Sequence, residues 1–122
     1  MIELMTKQFA KWAAKQKIPA NELAAAISEM QKDGFEASLG GHLYKKRIRF
    51  AGQGKSGSGR TIICYKQGDR AIFIHGFAKN EKSNLSKKEL RALKEFSKIL
   101  LKLPPEHIKV AIENGDFIEV SP

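Results

Sequence analysis

From Thr6 the apolar residues Phe9, Trp12 and Ala13 recur at helical spacing, with Lys7, Lys11 and Lys15 on the other side. Thr6 has the side chain of an N-cap, and Met1–Met5 before it is short and apolar enough for an edge strand. Ile18-Pro19 ends the first helix and opens a second, because proline suits a first turn and disfavours helix before it. Leu23, Ala26, Ile27 and Met30 make the buried stripe of that helix, and Gly34 reads as its C-terminal cap. The first third of the chain is predicted to be a helical hairpin.

Gly40-Gly41 reads as a break, and from His42 the period is two. His42, Tyr44, Lys46, Ile48 and Phe50 fall on one face; Leu43, Lys45, Arg47 and Arg49 fall on the other, which is almost purely cationic. Arg60–Lys66 is the next strand, and Gln67-Gly68-Asp69 turns the chain into Arg70–Ala78. Ala71–Phe77 is nearly unbroken in its apolar character and is predicted to be the most buried strand. Ser86-Lys87-Lys88-Glu89 is a capping box, with Leu85 and Leu90 placed as a hydrophobic staple. Leu90, Leu93, Phe96, Leu100 and Leu101 form the inner stripe of that helix, and Pro104-Pro105 stops it. A short helix with Ile108 and Ile112 runs to Asn114-Gly115, and Phe117–Val120 is a last strand or a tail. The predicted class is α+β: an N-terminal helical hairpin, a three- to four-stranded antiparallel sheet and C-terminal helices, in one domain over residues 1–122.

Charge changes this picture from a fold into a surface. The chain carries a net charge of +9, and Gly41–Asn80 holds nine Lys/Arg against Asp69 alone. A cationic surface on strands, flanked by near-neutral helices, is a platform for a polyanion. A membrane-surface role would put the charge on an amphipathic helix instead. No apolar run approaches the ~20 residues of a membrane span, and the N-terminus lacks a signal-peptide core, so the expected location is the cytoplasm.

Most catalytic chemistries find no residues here. One cysteine excludes a disulfide framework and a multi-cysteine zinc site, and Cys64 reads as a small buried hydrophobe. The loop AGQGKSGSG resembles a phosphate loop, but the glycine required five residues before Gly54 is Arg49 and a strand follows. His75, inside an apolar run, reads as a satisfied core residue, and Glu106-His107 as helix surface. No paired carboxylates, metal constellation or Ser/His/Asp set stands out, and Glu81 is the one acid close to the basic strands. Neither metal nor cofactor is expected.

A cluster of lysines and arginines can do two things. It can bind phosphates, tolerant of sequence and sensitive to salt. It can also stabilise the dianionic phosphorane formed when a ribose 2′-hydroxyl attacks its own 3′-phosphate, as an oxyanion hole would. A lysine crowded by cations gives up its proton more readily, which suits a base. Periodicity does not separate binding from cleavage.

The run LYKKRIRFAGQGKSGSGRTIICYKQGDRAIFIHGFAKNEKSNLSKKEL resembles the RelE/ParE superfamily of type II toxin–antitoxin toxins, and more narrowly the HigB-like branch of RelE. The features that carry it are the KKR strand, the GQGKSG loop before an arginine-led strand, and FAKNEKSN leading into KKEL. The resemblance implies a RelE-like fold and an endoribonuclease acting on messenger RNA in the ribosomal A site. It also implies neutralisation by a cognate antitoxin, with operator DNA reached only through that partner. Carried over by position, Lys45 is the candidate base, Arg47 and Arg60 lie on the scissile phosphate, and Lys79 stabilises the leaving group or the bound RNA. Arg49, Lys55, Asn80 and Lys82 are the implied RNA contacts. The tyrosine that some relatives place near what is here Leu85-Ser86 is missing. Gyrase-inhibiting ParE toxins share the fold but lack the dense basic row, and a non-nucleolytic nucleic-acid-binding module is the remaining alternative.

Overall fold

The computed structural model describes residues 1–49, 58–79 and 84–120. Its elements follow the order β1 (Ile2–Thr6), α1 (Lys7–Lys15), α2 (Ala20–Met30), β2 (Ala37–Gly40), β3 (Leu43–Arg49), β4 (Ser58–Lys66), β5 (Arg70–Ala78), α3 (Lys87–Lys102), α4 (Pro105–Glu113) and β6 (Phe117–Glu119). The strands make one six-stranded mixed sheet in the order β2-β3-β4-β5-β1-β6. This corrects the predicted helical hairpin followed by a three- to four-stranded antiparallel sheet. The chain opens with a strand, and that strand lies inside the sheet, parallel to β5 on one side and antiparallel to β6 on the other. The physical reason is range. Five residues of β1 and three of β6 are too short to show a period, and their pairing is set by partners more than sixty residues away for β1–β5 and over a hundred for β1–β6.

Both sheet faces are covered. On one, Phe9, Ala13, Leu23, Ile27 and Met30 of α1 and α2 pack on Ile63, Tyr65 and Phe73. On the other, Leu100 and Ile108 of α3 and α4 pack on Leu4, Leu43, Ile62, Cys64, Ile72 and Phe117. Burial on both faces explains why β4 and β5 read as continuous apolar runs. Cys64 is a buried thiol, as predicted, and burial pushes its pKa up.

The helix ends show which local signals hold. The Thr6 hydroxyl accepts from the Phe9 N–H at 3.1 Å, and Ser86 and Glu89 form both halves of the predicted capping box. Helix α2 closes in a Schellman motif whose left-handed residue is Asp33 (φ 60°), not glycine. The Gly34 N–H then reaches the Glu29 carbonyl at 2.8 Å. Gly34 is needed for closeness, because a Cβ there would sit 2.8 Å from that same carbonyl oxygen.

Strands β4 and β5 slip by one residue between Ile62 and Ile63, where Ile62 faces His75 and Ile63 faces Phe73. This bulge resets the alternation of β5. Phe77 thereby joins the α3/α4 core, and Gly76 turns towards α1. A Cβ at Gly76 would be driven into the Trp12 ring. Gly76→Ala is expected to destabilise the fold by ~1–3 kcal/mol through overpacking. Urea denaturation should show that loss, with part of it restored when Trp12→Leu is added.

Candidate nucleic-acid interface

Strand pairing assembles the predicted cations into rows. Lys45 of β3 faces Ile62 of β4, which faces His75 of β5. One step along, Arg47 faces Arg60, which faces Phe77. One step further, Arg49 faces Ser58, whose carbonyl accepts from the Lys79 N–H at 3.3 Å. Alternation puts the side chains of Lys45, Arg47, Arg49 and Arg60 on the face shared with Ile62 and Phe77, and continuing it past the end of β5 adds Lys79. With strands ~4.8 Å apart, Arg47 and Arg60 are immediate neighbours. Arg47, Arg49 and Lys79 are exposed, Lys45 is partly covered, and Arg60 is buried.

Two like-charged guanidiniums side by side need a counter-charge, and the structure supplies one absent from the sequence reading. Glu36, just ahead of β2, is anchored by its N–H to the Lys45 carbonyl at 2.8 Å. Its carboxylate accepts from Arg60 Nε at 2.7 Å and pairs with Lys45 Nζ at 3.3 Å. Burial pushes the Glu36 carboxyl up, but the bonds from Arg60 and Lys45 and their charges outweigh it, and the net shift is downward. The carboxylate is therefore ionised at neutral pH. Lys45 Nζ also donates to Asn84 Oδ1 at 3.4 Å, and the same oxygen accepts from the Leu85 N–H at 2.9 Å. Asn84 thus ties the start of α3 to the basic rows.

Not every cation of the stretch joins the rows. Lys46 points to the opposite face and pairs with Glu29 of α2. Arg70 is buried and donates from Nη1 to the carbonyls of Leu100 and Leu103, at 2.7 and 2.9 Å, where α3 ends. Cations suit that end of a helix. Lys66 lies exposed where β4 turns into β5, at the far end of the strand. Lys55, Asn80, Lys82 and Glu81 lie outside the described residues. His75 is half-buried in the row of Lys45, its ring centroid 6.3 Å from that of Phe77, rather than enclosed in the core. The Ser86 hydroxyl, at the place of the missing tyrosine, accepts from the Glu89 N–H at 3.1 Å and so has a structural partner.

Glu36 was legible in principle. Had Gly40-Gly41 been read as a hairpin turn, pairing back from it would have brought Glu36 and Ala37 alongside Lys45, as the structure has them. Asn84 carried no comparable signal. Among the described residues, the arrangement offers exposed cations over a buried one and a carboxylate that orients two of them, a surface suited to a phosphate backbone.

The family model described as the RelE toxin of the RelE/RelB toxin–antitoxin system matches residues 3–120. No curated protein matches the chain.

Glu36→Gln tests the counter-charge. Because the folded-state pKa is lowered, the ion pair stabilises fully above the unfolded value of about 4.3 and is lost as pH falls through the folded value. At pH 7 the variant is expected to be less stable by roughly 1–2 kcal/mol. At pH 3 the gap to wild type should narrow; urea midpoints at both pH values measure it.

Proposed function

The chain belongs to the family of RelE toxins of RelE/RelB toxin–antitoxin systems, and from that membership we propose a metal-independent endoribonuclease of the HigB-like branch that cuts messenger RNA in the ribosomal A site. A toxin of this family is paired with an antitoxin. Messenger RNA and the ribosome are the proposed targets, and operator DNA is reached through the antitoxin. No helix among the described residues is long and apolar enough to cross a membrane, and the cytoplasm is the proposed place of action.

The observation that carries the reading is the row Arg47–Arg60 with Lys45 one step away and Glu36 beneath. Cleavage of RNA through its own 2′-hydroxyl needs a proton acceptor at O2′, positive charge on the phosphorane and a proton for the departing O5′. In this proposal Lys45 Nζ takes the O2′ proton as that oxygen bonds to phosphorus. Arg47, exposed, meets the non-bridging oxygens directly, while Arg60 adds charge from below, held by Glu36 through Nε. Lys79 donates to O5′ as the P–O5′ bond breaks, leaving a 2′,3′-cyclic phosphate and a 5′-hydroxyl. Arg49, Lys55, Asn80 and Lys82 hold flanking nucleotides.

A second assignment of the base is favoured by one observation: Glu36 is already ionised at neutral pH, with its carboxylate 3.3 Å from Lys45 Nζ. The pH–rate profile separates the two. With Lys45 as base, the rate rises on the alkaline side, because only the neutral amine accepts a proton. With Glu36 as base, the rate rises in the acid range and is level above neutrality.

The test is cleavage of mRNA on programmed ribosomes in EDTA. Wild type is expected to cut within a codon without added metal. Lys45→Ala and Arg47→Ala should each lose about a hundred-fold or more in rate, and Arg60→Lys, which keeps the buried charge, should fall less. Intact mRNA beside a folded wild type would refute the nuclease reading and leave a gyrase inhibitor or a non-nucleolytic binding module.

A further inference from the structure

Helix α3 carries a second cationic surface that is continuous with the first. Of its sixteen residues, six are Lys or Arg and two are acids. Four of the six, Lys87, Arg91, Lys94 and Lys98, recur every three or four residues and so share one flank. These four, with Leu90 and Glu95, line one shallow groove. The core stripe of the helix runs through Leu90, Leu93, Ser97 and Leu100, so this flank lies beside the sheet rather than on the outer side. An alanine methyl built at Gly40 of β2 would lie 3.9 Å from Lys94 Nζ, which places the flank along the β2 edge. Its near end adjoins the basic rows, because Asn84, three residues before Lys87, accepts from Lys45.

We propose that this flank is a phosphate-backbone track, extending the path of a single-stranded RNA from the Lys45/Arg47 rows along α3. The inference rests on the RNA reading of those rows. At 1.5 Å per residue, Lys87 to Lys98 spans roughly 16 Å, enough for several phosphates beyond the scissile one. The flank offers almost no means of reading bases: its one acid, Glu95, pairs with Lys98 at 3.3 Å, and both are exposed. The track therefore binds backbone and is blind to sequence. Lysines on flexible stems, exposed at Lys87 and Lys98 and half-buried at Lys94, joined by one arginine suit a chain of phosphates better than a single fixed anion.

The experiment uses the full chain and a 20-nucleotide RNA methylated at every 2′-oxygen, which cannot be cleaved through that group. Affinity is measured from 50 to 200 mM salt for wild type, Arg91→Ala/Lys94→Ala, and Lys11→Ala/Lys15→Ala. The last variant removes the same charge from exposed positions of α1, on the opposite face of the sheet. At ~0.7 per phosphate contact, the groove variant should lower the log–log salt slope by about 1.4 and weaken binding, while the off-groove variant keeps the wild-type slope. Equal slopes in all three would overturn the track. So would a groove variant with unchanged RNA binding and weakened capture of an acidic antitoxin segment, which would make the flank a protein-docking surface. The nuclease reading fails separately: a wild type that leaves programmed mRNA intact, yet shows the slope difference, keeps the track and loses the cleavage.

Discussion

One carboxylate makes the basic face possible. Arg47 and Arg60 face each other across β3 and β4, with Lys45 one step away. Placed side by side without compensation, such cations would repel, and a buried guanidinium would carry a heavy desolvation cost. Glu36 answers both, bonding Arg60 through one oxygen and Lys45 through the other. Its own position comes from the backbone, since its N–H pairs with the carbonyl of Lys45. The residue that neutralises the lysine is therefore fixed by the strand that presents it. Arg47 and Arg49, outside this internal balance, are exposed.

Among the described residues, the helices leave Arg47, Arg49 and Lys79 of that face exposed. The sheet is buried by helices on both sides, so a functional surface can exist only where a helix stops short. Helix α3 begins at Lys87, after a capping box that fixes its first turn, and Asn84 just before it touches Lys45. Its other end is held by Arg70, whose guanidinium caps the carbonyls of Leu100 and Leu103. The two ends are thus secured by opposite means: side-chain acceptors for N–H groups at the start and a cation for carbonyls at the finish. The length of α3 over the sheet is set between them, and the basic rows lie beyond its start.

The bulge in β5 contributes to the same outcome. Without the slip at Ile62/Ile63, His75 and Phe77 would turn to the α1 side and Gly76 to the α3 side. With it, Phe77 backs Arg60 in an apolar setting, and Gly76 makes room for Trp12. A one-residue irregularity therefore serves two layers at once, letting the Trp12 ring lie close on the sheet while an aromatic wall stands beside the buried arginine.

Local periods were enough to determine much of this protein. The helices from Lys7, Ala20 and Lys87, strand β3, and the shared face of Lys45, Arg47 and Arg49 follow from repeats of 3.6 or two residues, the caps at Thr6 and Ser86 from residue type, and β4 and β5 from unbroken apolar runs. Such repeats are properties of neighbouring residues and need no partner. Only the tertiary structure decided the rest. It placed β1 inside the sheet between β5 and the edge strand β6, and committed Arg70 to the end of α3 instead of the basic face. It also brought Asn84 to Lys45. The physical reason is common to all of these: each depends on which distant backbone or charge comes within bonding distance, and a linear pattern records direction along the chain but not distance across it.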